Sequence, residues 1–251
     1  MIRTIVFTIL LIGLMALAYP QNALRDDLNG VYYDPNLYIE EYETKDGSPY
    51  LNLDFTPAKI GNREKAYLVR LNAYMGTIEV WIKENQVIVL DNSRKEKVML
   101  LDGSKREYVI GDFKSSKGEV IQGFLEIIEC SDAYILYKRE TIKYFKKTKA
   151  GAYAPAKPAQ FEQANDQFYL KCPDDQMPSY LSNNKKKFMA VFEPKAASKI
   201  KMLMKKEHLS LDKEEDMLQI LDAMFKNWNG ISTFISSIID KMHLGSPSGN
   251  T

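Results

Sequence analysis

The run AYLVRLNAY at residues 66–74, followed by TIEVWIK at 77–83 and VIVL at 87–90, is written in the period of consecutive β-strands. In the middle segment Ile78, Val80 and Ile82 point one way, while Glu79, Trp81 and Lys83 point the other. Successive strand side chains project to opposite faces, so this alternation predicts one packed face and one wetter face. Further β-rich runs follow at 97–101, 106–110, 119–129 and 133–145, with Asp102-Gly103-Ser104 and Ser131-Asp132 as turns. Turn chemistry recurring every 8–12 residues or so predicts an antiparallel meander. The 15 tyrosines of the chain suit half-buried strand positions, where the ring packs and the hydroxyl reaches water.

Toward the N-terminus, Asp46-Gly47-Ser48-Pro49 is a turn, preceded by a tyrosine-rich, acidic lead-in over 19–45. Met1-Ile2-Arg3 and an apolar run to Ala18, ending Ala16-Leu17-Ala18, have the layout of a signal peptide over 1–18. An uncleaved anchor is the competing reading, but the run stops near Tyr19-Pro20, short of the roughly 20 apolar residues a span needs. Extracytoplasmic localisation, with no transmembrane span after cleavage, is therefore expected.

Toward the C-terminus, residues 147–165 turn to Ala, Lys, Pro and Gly and read as a loop, and 167–171 as a strand returning to the sheet. From Ser182 the period becomes helical. Asn183 or Asn184 is positioned to cap a short helix, and Pro194 suits the first turn of the next. Asp212-x-x-Glu215 resembles a capping box ahead of an apolar stripe formed by Met217, Leu218, Leu221, Met224, Phe225 and Trp228. Gly230 is placed to end that helix, and a last amphipathic helix spans 231–244 before a disordered tail at 245–251. The fold class expected is α+β: a curved antiparallel β-meander, sandwich or half-barrel-like, over 46–182, then a C-terminal helical segment over 183–244.

The 251 residues carry 34 basic and 33 acidic side chains, with 45% hydrophobic and 27% charged residues. This balance suits a globular protein and supplies no overall field for a nucleic acid. Locally the balance breaks. Residues 183–207 hold eight lysines against Glu193 and Glu207, a net of +6, while 208–228 hold five acids against two lysines, a net of −3. Lys185, Lys186, Lys187, Lys199, Lys205 and Lys206 thus form a candidate interaction patch for an anionic envelope component or an acidic protein. A solvated helix face is the plainer alternative.

Some of these segments carry a resemblance. Gly47-Ser48-Pro49-Tyr50-Leu51, Phe55-x-Pro57-x-Lys59, the Leu68-x-Arg70-x-Asn72-x-Tyr74 run into Ile78-Glu79-Val80, and the lysine-rich tail resemble a group of secreted Bacteroidetes proteins. The likeness spans about 46–228. It departs at the Gly76 turn, where the group usually has Asp, and in the added residues 231–251. The group has no established activity, so the resemblance implies export and this architecture and carries over no catalytic residue.

Catalytic and metal chemistry find little purchase. The only histidines, His208 and His243, fall at a helix junction and beside the tail, and Gly245-Ser246-Pro247-Ser248-Gly249 has proline where a nucleophile elbow needs serine. Two cysteines and two histidines at these spacings make no zinc site, and Asp174-Asp175 lacks the loop of a calcium site. No phosphate-binding glycine loop occurs. Neither a cofactor nor a metal is expected. Export makes a disulfide between Cys130 and Cys172 available, the alternative being two separate small hydrophobes.

The function expected is non-catalytic binding of a protein or cell-envelope component through the sheet and the basic helical segment. The alternatives are a carrier of an apolar ligand in a curved sheet cleft and a hydrolase whose carboxylate pair the sequence does not single out.

Overall fold

Period-two burial appears in some of the strands and not in others. In the computed structural model, which describes residues 28, 30–33, 46–83, 86–150, 155–190, 192 and 194–225, burial alternates along 57–60, 66–71, 97–100 and 107–110, while other strands bury consecutive residues. The strands are β1 (Gly30–Tyr33), β2 (Thr56–Ile60), β3 (Ala66–Asn72), β4 (Thr77–Lys83), β5 (Gln86–Leu90), β6 (Lys97–Leu100), β7 (Glu107–Lys114), β8 (Val120–Cys130), β9 (Ile135–Arg139), β10 (Ile142–Phe145), β11 (Gln160–Gln163), β12 (Gln167–Lys171) and β13 (Ser179–Leu181). The expected signal peptide, the lead-in before Asp46 apart from Leu28 and β1, Trp228, Gly230, His243, the 231–244 helix and the 245–251 tail lie outside the described residues.

Among the described residues eleven strands form one curved sheet in the order β1-β5-β4-β3-β2-β6-β7-β13-β12-β9-β8. The pairings are antiparallel except β13 against β7, which meet in parallel at Ser179 and Lys114. That exception departs from the expected antiparallel meander. β8 also pairs back onto β7, from Tyr108↔Glu126 to Lys114↔Val120, so β7, β13, β12, β9 and β8 close into a ring. Closure removes edges that would otherwise template aggregation. Phe113, Leu125, Tyr137 and Tyr169 pack together on one face of the ring. Its other face meets two cores. Tyr108, Ile110 and Phe124 join the core of β2–β6, and Leu136, Phe168 and Leu181 join the helices.

Two expectations change here. The single strand expected over 133–145 breaks into β9 and β10, because β10 leaves the main sheet to pair with β11. The 147–165 stretch, expected as a loop, contains β11. Phe161 is the reason: it is buried, and its ring lies 5.3 Å from Tyr74 and 5.2 Å from Tyr144. Gly47 fits the same junction. Its φ is +78°, and a Cβ there would sit 2.2 Å from the Phe161 carbonyl oxygen, so the approach of the two backbones requires glycine.

The third change concerns the cysteines. Cys130 is an exposed free thiol and Cys172 a buried one. β9 stands between them, since Cys130 pairs with Ile135 and Ile135 with Lys171. Two strand spacings are about 10 Å, beyond the reach of a disulfide. Burial, with Asp175 and Asp174 nearby, pushes the Cys172 thiol up to about 12.

Among the described residues three helices follow the sheet: α1 (Lys185–Ala190), α2 (Pro194–Lys206) and α3 (Glu214–Phe225). Asn184 caps α1, its Oδ1 accepting from the Lys186 and Lys187 amides at 3.0 and 3.2 Å. The expected capping box at Asp212 is replaced: Asp212 accepts from the Asn183 side chain, and the Asp216 carboxylate accepts from the Ser210 amide. Phe188, Ile200, Met204, Met217, Ile220 and Leu221 seat the helices on β9, β12 and β13. None of the described helices is long and apolar enough to cross a membrane.

Candidate functional site

Among the described residues, three clusters of charged side chains are candidates for a site. The first lies between β3 and β4. Antiparallel register sets Arg70 opposite Glu79, and Arg70 donates to Glu79 Oε2 from Nε at 3.2 Å and Nη2 at 2.8 Å. Asn72 Nδ2 donates to the other carboxylate oxygen at 3.3 Å, and Asn72 Oδ1 accepts from the Met75 amide. Glu79, expected on the wetter face, has no exposed surface. The cause is the 46–55 segment, which lays Tyr50 and Phe55 over the Arg70 guanidinium at 3.6 and 4.5 Å. With both oxygens engaged under two rings, this carboxylate is shielded from any substrate. Arg70, Asn72 and Glu79 serve the fold.

The second is a seam between sheet and helices. Arg106 grips Glu126 with two bonds, Nε to Oε1 at 2.8 Å and Nη2 to Oε2 at 3.0 Å, and also donates to Glu140. Lys138 bridges Glu126 of β8 at 3.1 Å and Glu214 of α3 at 2.8 Å. Burial pushes the Glu140 carboxyl up, against the pull of Arg106 and Lys138, and burial does the same to Asp166. Beside the seam, Glu162 and Asp166 line a polar cleft of about 340 Å³ with Lys143, Tyr180 and Asn183.

The third lies between α1 and α2, where a groove of about 860 Å³ has Met189, Ala197, Met204 and Leu209 as its floor. Lys185 and Lys186 from α1, Lys201 and Lys205 from α2, and His208 form its rim. Among the described residues, none of these four lysines meets a carboxylate in an ion pair and no acid lines the groove. The floor follows from how α2 ends. His208 takes the left-handed conformation at φ 56°, and the Leu209 amide donates to the Met204 carbonyl at 2.9 Å. This Schellman-type ending folds Leu209 back onto Met204.

Of the six patch lysines expected, the groove gathers Lys185, Lys186 and Lys205. Lys187 and Lys199 do not line it, and Lys206 pairs with Glu207 at 2.9 Å. Lys201 was missed, although the spacing Ala197, Lys201, Met204, Lys205, His208 marks one helical face. Asp175, weighed as a calcium ligand, accepts from the Cys172 amide at 2.8 Å. Among the described residues no group of three or more His, Cys, Asp or Glu side chains is placed to hold a metal ion.

Comparison with family models, curated proteins and solved structures found no match for this chain.

Proposed function

We propose that this is a non-catalytic, extracytoplasmic binding protein that takes an anionic envelope component on the α1–α2 groove. The observation that carries the reading is the rim of four lysines around an apolar floor, with no acid beside them among the described residues. Unpaired cations held close together repel one another, and a bound anion relieves that repulsion. The signal-peptide layout at 1–18 and the resemblance to secreted proteins support the location. The carrier alternative placed its ligand in the sheet, but the strand faces are filled by side chains such as Val69, Ile78, Val80 and Leu136, all without exposed surface. The groove between helices takes over that role.

The test is calorimetric titration of the protein with purified lipopolysaccharide at low and high salt. Binding that weakens with salt and falls at least tenfold in Lys185→Ala/Lys186→Ala/Lys201→Ala/Lys205→Ala is expected. Binding that the four substitutions leave unchanged, or no binding at low salt, overturns the reading.

A second reading has one observation in its favour. Asp166, its carboxyl raised by burial, shares a polar cleft with Glu162, and a raised carboxyl is what a general acid needs. Turnover of a glycan substrate that Asp166→Asn abolishes without unfolding the protein would establish it, and no turnover across a glycan panel would dismiss it.

A further inference from the structure

The lining of the groove specifies more than a charge. Ligand pockets for small molecules occupy about 300–1,000 Å³ and are mostly apolar with a few polar groups that fix orientation. The α1–α2 groove, at about 860 Å³, falls in that class. A flat patch for an acidic protein surface would present the lysines without an apolar trough between them. Here each helix contributes two lysines to the rim, and the trough is floored by two methionines, a leucine and an alanine. Methionine is unbranched and polarisable, so it moulds to a flexible chain more readily than to a rigid ring. Among the described residues the lining has no Phe, Tyr or Trp side chain, His208 supplies its one ring, at the rim, and Ser198 its one hydroxyl. The polar recognition these residues offer is mainly cationic, from exposed lysines beside a more buried apolar bed.

From this arrangement we infer that the groove binds a single-chain anionic amphiphile, its acyl chain on Met189, Ala197, Met204 and Leu209 and its phosphate or carboxylate among Lys185, Lys186, Lys201 and Lys205. This rests on the proposed anion-binding role and narrows it to one ligand chemistry. The lysine stems extend the apolar wall while their ammonium groups stay at the rim, as long cationic side chains do at such boundaries. Ala197 is a small residue within the trough, half-buried, and a bulky side chain there would occupy the chain's volume without touching the rim.

A homologous series of n-alkyl phosphates from six to fourteen carbons, each below its micelle concentration, tests the inference by calorimetry, with inorganic phosphate as the chainless probe. Affinity is expected to rise about threefold to fourfold per added methylene until the trough is full and then level off. Ala197→Phe should remove the chain-length dependence and leave the weak, salt-sensitive binding of the phosphate group. The lysine quadruple variant should lower affinity for every member by a similar factor. Alkyl phosphates binding no more tightly than inorganic phosphate would overturn the inference while leaving the anion-binding role standing. No lysine-dependent binding of any probe, lipopolysaccharide included, would remove both. Co-sedimentation with phosphatidylglycerol vesicles that Ala197→Phe does not alter, with no affinity for monomeric alkyl phosphates, would replace the inference with docking to a membrane surface. Should Ala197→Phe fail to fold, the chain-length series on the unmodified protein decides by itself.

Discussion

Charge is handled in opposite ways at the two ends of this molecule. Between β3 and β4, Arg70, Asn72 and Glu79 answer one another beneath Tyr50 and Phe55, and Glu79 has no exposed surface. Between α1 and α2, four lysines stand at a rim with no acid among its described residues. A buried charge without a partner is expensive, so the first cluster has to be complete within the chain. An exposed lysine costs the fold little to leave unpaired, so the second can wait for a partner from outside. Paired and covered charge reads as architecture, and unpaired charge beside an apolar trough reads as binding.

The contrast is most exposed to failure at Glu79. Glu79→Ala strands the Arg70 guanidinium under two aromatic rings and leaves the buried Asn72 amide without this acceptor, and should cost about 3–5 kcal/mol of unfolding free energy in urea titrations. Replacing the pair together, as Arg70→Met/Glu79→Leu, should restore most of that loss, because no charge is then left unmatched. A single-mutant cost no greater than the roughly 1 kcal/mol of a surface ion pair would erase the difference between the two regions.

The seam falls between these extremes. Lys138 is shared by Glu126 and Glu214 and ties α3 to β8 and β9. Lys138→Met should cost about 1–3 kcal/mol, because the largely buried Glu126 keeps Arg106 but loses its second cation. Hydrogen exchange should show α3 opening more often than β3 and β4 in that variant. Equal opening of sheet and helices would mean that the apolar contacts of Met217, Ile220 and Leu221 alone hold α3 down.

How much of this was legible depended on whether the signal was local. The α+β class, the strands at Thr77–Lys83 and Gln167–Lys171, and the Asn184 cap follow from period and capping chemistry carried within a few residues. The burial of Glu79 did not, because it depends on Tyr50 and Phe55, some 25 residues upstream, folding over the face that alternation assigns to solvent. Arg70 opposite Glu79 at hairpin register was the available clue. β11 was hidden by its alanine, lysine and proline neighbours, and only the partners of Phe161 explain it. In the groove, lysine density located the patch, whereas its selection of Lys201 over Lys187 and Lys199 follows from how α1 crosses α2.

A smaller effect separates the seam from the groove by pH. Burial, working against Arg106 and Lys138, favours the protonated form of Glu140, and burial favours that of Asp166. The folded chain therefore holds these protons at a pH where the unfolded chain has released them. With more protons bound in the native state, stability falls as pH rises through the window just above the ordinary values of 4.5 and 3.8. Glu140→Gln and Asp166→Asn should each flatten that part of the stability–pH curve relative to the unmodified protein, read from urea midpoints between pH 4 and pH 7. The groove substitutions should leave the curve's shape alone there.

The smallest effect on stability belongs to the four groove lysines, and its sign matters more than its size. If Lys185, Lys186, Lys201 and Lys205 only repel one another, their replacement by alanine removes a repulsion and adds a strong helix former at each position. The quadruple variant should then unfold at the same urea midpoint as the unmodified protein or slightly above it. Any gain should fade at about 0.5 M salt, because repulsion between exposed charges is screened once the Debye length falls below the spacing of the rim. A clear loss of stability in the quadruple variant, persisting in high salt, would mean that the lysine stems pack as part of the fold. The rim would then resemble the β3–β4 pair in kind, and unpaired charge would no longer mark a binding surface in this molecule.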